Sequence, residues 1–128
     1  MDGLCRPVVL ILAASRTTNV SKIEENLMKV MLTFKFPLHP FNELVKAGTA
    51  GQKMQAVLEA TKPEATYFTE VDGLRSAIVV VELSDASRIP ALVEPWFLTF
   101  DAQVSVKVVM TAEDMQKAGL DEVGKKWK

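Results

Sequence analysis

Residues 75–83, Arg-Ser-Ala-Ile-Val-Val-Val-Glu-Leu, form a β-branched run that follows the dipeptide Asp72-Gly73. Side chains alternate across a strand, so Ala77, Val79, Val81 and Leu83 share one face while Ile78 and Val80 share the other. Apolar surface on both faces forfeits the gain of burial unless both are covered. The run therefore reads as the central strand of a sheet with a layer on each side, and the remaining elements have to be arranged around it.

Upstream, residues 28–36 alternate cleanly. Met28, Val30, Leu32, Phe34 and Phe36 point one way, Lys29, Met31, Thr33 and Lys35 the other, and Pro37 ends the strand. After Pro37 the period becomes that of a helix, with Phe41, Leu44 and Val45 on one face and Gly48 closing the turn. That face is out of phase with Met54, Val57 and Leu58, so the spacing predicts two helical pieces. The second is opened by a capping box of Thr49 and Gln52 and stopped before Pro63. Residues 65–70 are rich in β-formers, and Asp-Gly between them and the central run predicts a hairpin. Ser84, Asp85 and Ser87 offer N-caps to a helix with Ile89, Leu92, Val93 and Trp96 on one face. Pro90 falls in its first turn, whereas Pro95 predicts an end or kink near Glu94. Residues 96–100 then form an aromatic connector into a one-sided strand, where Ala102, Val104, Val106, Val108 and Met110 alternate with Gln103, Ser105 and Lys107. Thr111 and Asp114 cap a short helix over 112–118, and residues 119–128 form a polar tail that carries Trp127.

At 128 residues the chain supports one domain that needs no metal or disulfide to fold. Its 15 basic and 16 acidic residues are scattered, with no basic stripe to track a phosphate backbone, so nucleic acid is not an expected partner. Cys5 is the single cysteine, which excludes an intramolecular disulfide and fits a reducing, cytoplasmic setting. Residues 8–14, Val-Val-Leu-Ile-Leu-Ala-Ala, can be read as the core of a secretory signal. Against that, Asp2 accompanies Arg6 before the run, which sits at the lower length limit for such a region and is too short to span a bilayer. No membrane partner is expected. Residues 1–27 are read as an N-terminal extension, either packed on the outside of the domain or preceding a natural start, for which Met28 is an alternative initiator. Within it, Ser21 and Glu24 have capping-box spacing.

Over residues 28–118, the order strand, helix, strand, strand, helix, strand is that of a ferredoxin-like βαββαβ sandwich. This is an α+β fold whose antiparallel sheet has helices on one face and the first and third strands at its centre. Those helices leave Ile78 and Val80 uncovered, and Trp96, Phe97 and Phe100 exceed what one helical layer needs, so a second subunit is expected over the other face. Three features are similar to the dimeric α+β-barrel superfamily. They are the opening strand Met28-Lys-Val-Met-Leu-Thr-Phe-Lys-Phe-Pro37, the pair Tyr67-Phe-Thr-Glu and Asp72-Gly73, and the helix ending in Pro95-Trp-Phe before a valine-rich last strand. Within that superfamily the pattern most resembles an uncharacterised bacterial family together with the muconolactone isomerase-like proteins. The resemblance spans about residues 28–115. It implies a homodimer with its two sheets packed face to face and a pocket in each subunit between sheet and helices. Members include isomerases, cofactor-free monooxygenases, haem enzymes and proteins with no known activity, and no residue-specific catalytic motif of theirs carries over.

His39 is the single histidine and follows the first strand, at a position that suits a pocket mouth; it can act as a general base or haem ligand, or be a loop histidine bonded to backbone or water. Tyr67 can orient a carbonyl or hydroxyl through its own hydroxyl, or pack across strands with an exposed tip. Glu82 can serve as an acid or base if it points inward, or pair with a lysine at a solvated strand end. These three are the candidate catalytic residues, and Phe34, Phe36, Phe68, Trp96 and Phe97 are the candidate pocket lining, with Trp96 and Phe97 equally suited to core or dimer packing. Gly48 and Gly51 have no lysine at phosphate-loop spacing, and Glu113 and Asp114 complement a helix dipole. No cofactor and no metal are implied. The leading reading is a homodimeric small-molecule-binding protein. One alternative is a cofactor-independent isomerase or monooxygenase using His39, Tyr67 or Glu82 for proton transfer, and the other is a dimerisation module without a ligand. Catalysis requires His39 or Glu82 to share a cavity with Tyr67, and binding requires a cavity of roughly a few hundred Å³.

Overall fold

The computed structural model describes residues 27–128. The readings made of residues 8–14, of Ser21 and Glu24, and of residues 1–27 as an extension lie outside the described residues, but for Leu27. In chain order the elements are β1 (Met28–Lys35), α1 (Leu38–Lys46), α2 (Ala50–Thr61), β2 (Ala65–Val71), β3 (Leu74–Leu83), a 3-10 turn (Ala86–Arg88), α3 (Ile89–Phe100), β4 (Gln103–Val109), α4 (Ala112–Lys117) and α5 (Leu120–Lys126). The strands form one four-stranded sheet in the order β2-β3-β1-β4, antiparallel at every pairing. The protein is thus α+β, with a sheet compatible with a ferredoxin-like arrangement.

Register decides which side chains share a face, because residues directly opposite on antiparallel strands point the same way. Val30, Leu32 and Phe34 of β1 lie opposite Val81, Val79 and Ala77 of β3, and all six are buried. They form one core cluster with Phe41 of α1, Val57 of α2, and Val93, Trp96 and Phe100 of α3, so these helices cover that face. The β2–β3 turn is Asp72-Gly73 with φ of 54° and 80°, the doubly left-handed geometry that matches the twist of a two-residue hairpin.

Three local readings are corrected. The helix does not end or kink at Glu94: α3 runs through Pro95 to Phe100. A proline inside a helix costs about 3 kcal/mol, since it has no N–H for the carbonyl four residues back. Burying an aromatic side chain recovers about 1.5–3 kcal/mol each, and Trp96 and Phe100, four residues apart on the stripe begun by Val93, are both fully buried. Burial wins, and the expected aromatic connector is helix. Second, Thr49 precedes α2 but makes no side-chain cap; its hydroxyl donates back to the Leu44 carbonyl at 3.4 Å. Third, α5 stands where a polar tail was expected, after α4, whose capping box of Thr111 and Asp114 is formed. Neither α4 nor α5 buries a residue.

Candidate functional site

A cavity of about 340 Å³ lies between the β2–β3 side of the sheet and the helices α1 and α2. Its apolar walls come from four stretches of the chain. Phe36 continues the alternation of β1 one step past the strand, where its N–H donates to the Arg75 carbonyl at 2.9 Å. Phe41 stands in the first turn of α1, its ring 5.2 Å from Phe36 and 5.3 Å from Phe100. Met54 comes from α2 and Phe68 from β2. The hollow itself comes from Ala50 and Gly51 in the first turn of α2, where a Cβ built on Gly51 meets nothing within 4 Å. Phe68 is 60% exposed, so the cavity opens past its ring at the sheet edge.

One charged group lines this space. The Arg75 guanidinium lies 4.8 Å from the centre of the Phe41 ring, and its Nη1 donates to Asn42 Oδ1 at 3.0 Å. Phe41, Met54 and Arg75 are lining residues that the sequence reading missed. The alternation that buries Ala77 and Val79 also places Arg75 on the helix-facing side, and a cation at the end of an apolar face was the available signal.

Of the pocket candidates, Phe36 and Phe68 line the cavity. Phe34 and Trp96 fill the core beside it, stacked with centroids 4.1 Å apart and 6° between planes, and Phe97 is half-buried against that core. The Trp96 indole N–H donates to Thr61 Oγ1 at 3.1 Å, and the Thr61 hydroxyl donates to the Val57 carbonyl at 2.7 Å, so the buried polar atoms of this end are paired.

His39, Tyr67 and Glu82 are not brought together, and none lines the cavity. The His39 side chain is 72% exposed, with Nδ1 at 2.7 Å and 3.0 Å from the Glu43 carboxylate oxygens. That hydrogen bond is the main reason the Glu43 carboxyl is held below its ordinary pKa. Tyr67 is 64% exposed and lies opposite Ile78 on the other face of the sheet. Glu82 is on that same open face, opposite Lys29. Lys29 reaches Glu64 at 2.8 Å and Glu82 at 3.7 Å, and its pKa is raised, chiefly by the hydrogen bond to Glu64. Two further carboxylates are held low by backbone N–H donors: Asp85 by Ser87, at the turn before α3, and Asp114 by Thr111, at the start of α4.

A larger hollow of about 470 Å³ lies along the exposed helices α4 and α5, among side chains such as Gln116, Asp121 and Glu122, and lacks the aromatic walls of the first. Among the described residues, no His, Cys, Asp and Glu side chains gather into a metal-binding group, and no helix is long and apolar enough to cross a membrane. Compared with protein-family models, with curated proteins and with solved structures, the chain matches none.

Proposed function

We propose that the protein is a homodimeric small-molecule-binding protein of the dimeric α+β-barrel class. In this reading the sheet is the ferredoxin-like βαββαβ sheet, the cavity between it and α1–α2 takes a small, mostly apolar organic ligand, and a second copy covers the open sheet face. The observation that carries the reading is the cavity: about 340 Å³, walled by Phe36, Phe41, Met54 and Phe68, within the range of small-molecule sites. The catalytic alternative has less support, because His39, Tyr67 and Glu82 do not share it.

Support for the dimer comes from the open face. Met31, Ile78 and Val80 are only half-buried there, and Tyr67 is exposed beside them. Ion pairs flank this apolar middle at both ends, Lys29 with Glu64 and Glu82 at one and Lys35 with Asp72 at the other. An apolar centre with a charged rim is the anatomy of a protein interface. The single cysteine fits a cytoplasmic setting for such a protein.

Native mass spectrometry of the purified chain tests both parts. The expected result is a mass of two chains that also retains a small organic molecule, and Ile78→Asp is expected to give single chains that remain folded. A wild-type chain that stays monomeric at tens of micromolar sinks the dimer. A chain that takes up no apolar probe, such as 2-naphthalenemethanol at millimolar concentration, sinks the binding reading and leaves association alone.

A further inference from the structure

We infer that the cavity selects an apolar monoanion, a carboxylate carried on a planar aromatic body, and that Arg75 is the group that recognises the charge. The inference rests on the binding reading above and names the ligand class. The lining holds one cation and no anion: aromatic rings and Met54 on the walls, small residues at Ala50 and Gly51, the paired Thr69 and Ser76 of the sheet, and Arg75.

The carboxylates best placed to neutralise Arg75 are occupied elsewhere. Glu70 lies directly opposite Arg75 in the β2–β3 register, yet its Oε2 accepts the Gly73 N–H of the hairpin turn at 2.8 Å. Glu43 follows Asn42 on α1 and is engaged by His39. Among the described residues no carboxylate forms an ion pair with Arg75. The guanidinium is instead held by two neutral contacts, the Phe41 ring beneath it and the Asn42 side-chain oxygen beside it. A guanidinium has five N–H donors in a fixed plane, and Asn42 engages Nη1 alone, so a pair of donors is left for a bidentate carboxylate. The contact with the Phe41 ring and the hydrogen bond to Asn42 hold the guanidinium at the cavity wall before any ligand arrives. Phe36, Phe41 and Phe68 supply flat aromatic surface for the body of the ligand, and a hydrogen bond to a charged group adds selectivity for its head.

Isothermal titration calorimetry on the full chain tests this with two probes of equal body, 2-naphthoate and the neutral 2-naphthalenemethanol. The expected result is that 2-naphthoate binds about three- to fivefold more tightly, the scale on which an ion pair to an exposed guanidinium contributes. Arg75→Met keeps the apolar stem and removes the charge, and is expected to bring the ratio of the two affinities to about one, whatever it does to the neutral probe alone; Arg75→Lys should retain part of the preference. If Arg75→Met does not fold, Asn42→Ala serves instead, loosening the anchor and cutting the preference two- to threefold. Equal binding of the two probes to the wild type, or a preference that survives Arg75→Met, overturns the anion inference and leaves the binding reading standing. Failure of both probes overturns the binding reading and this inference with it.

Discussion

The helical layer treats its two ends differently. Under α3, Trp96 stacks on Phe34, Phe100 packs edge-on against Phe36 at 5.1 Å, and the buried indole N–H is paired. Under α1 and α2, the same sheet face meets Ala50 and Gly51, and the space their side chains leave becomes a cavity. Phe36 belongs to both ends, touching the filled cluster and lining the hollow. The difference is one of side-chain size rather than of fold, since one continuous sheet lies beneath both. Stability should therefore concentrate under α3 and ligand binding under α2.

The strongest test of that division is a pair of truncations. Trp96→Ala removes a fully buried side chain and its stacking partner for Phe34, and is expected to cost about 3–5 kcal/mol in urea unfolding. Phe68→Ala, on the cavity edge, is expected to cost under about 1 kcal/mol and to weaken naphthoate binding instead. Equal costs would erase the distinction between the ends. A smaller effect is expected from Thr61→Val, which keeps shape but removes the acceptor of the Trp96 indole N–H. A buried donor left without a partner costs about 1–3 kcal/mol, so Tm should fall while ligand affinity is unchanged. A neutral result would mean that the indole finds another acceptor.

The strands of this fold were legible because they obey local rules. The alternation in β1 and β3, and Asp72-Gly73 between β2 and β3, place each strand and its buried face without reference to the rest of the chain. The same alternation sends Phe36 to the helix side, whereas the helix-facing side of β2, and with it the place of Phe68, follows from its register with β3. The run of α3 through Pro95 was hidden because its local cost is outweighed by burial of Trp96 and Phe100, a tertiary effect. The cavity was hidden for a related reason. A hollow is a relation between elements far apart in the chain, here two small residues on α2 set near the rings of Phe36 and Phe41. His39 and Glu82 drew attention by residue type, which carries no information on direction, and both are bound to neighbours at the surface.

Gly51 sharpens the comparison at the hollow end. Gly51→Ala fills open space on a helix and is expected to stabilise by about 0.5 kcal/mol, because alanine loses less backbone freedom than glycine on folding. Gly51→Trp places a large side chain in the same space and should abolish binding of both naphthalene probes at nearly unchanged Tm. A loss of stability as large as that of Trp96→Ala would show that the space is part of the packed core.

The smallest expected effects are electrostatic, and each end supplies one group. Glu43 on α1 is held low by the His39 ring, and Asp85 before α3 by the Ser87 N–H. A carboxyl whose pKa is depressed on folding contributes stability that is present above its unfolded value and lost as pH falls through its folded value. Both contributions are therefore intact at neutral pH and disappear only in acid, below about pH 4. They part company in their donors. His39 is a side chain on an exposed helix start, whereas the Ser87 donor is backbone fixed by the fold. Carboxyl carbon shifts followed by NMR should give both groups midpoints below those of their unfolded counterparts, and His39→Ala should move Glu43 up toward its ordinary value while leaving Asp85 where it was. If Glu43 does not move, its depressed value comes from its own helix rather than from His39, and the histidine contributes nothing to the hollow end.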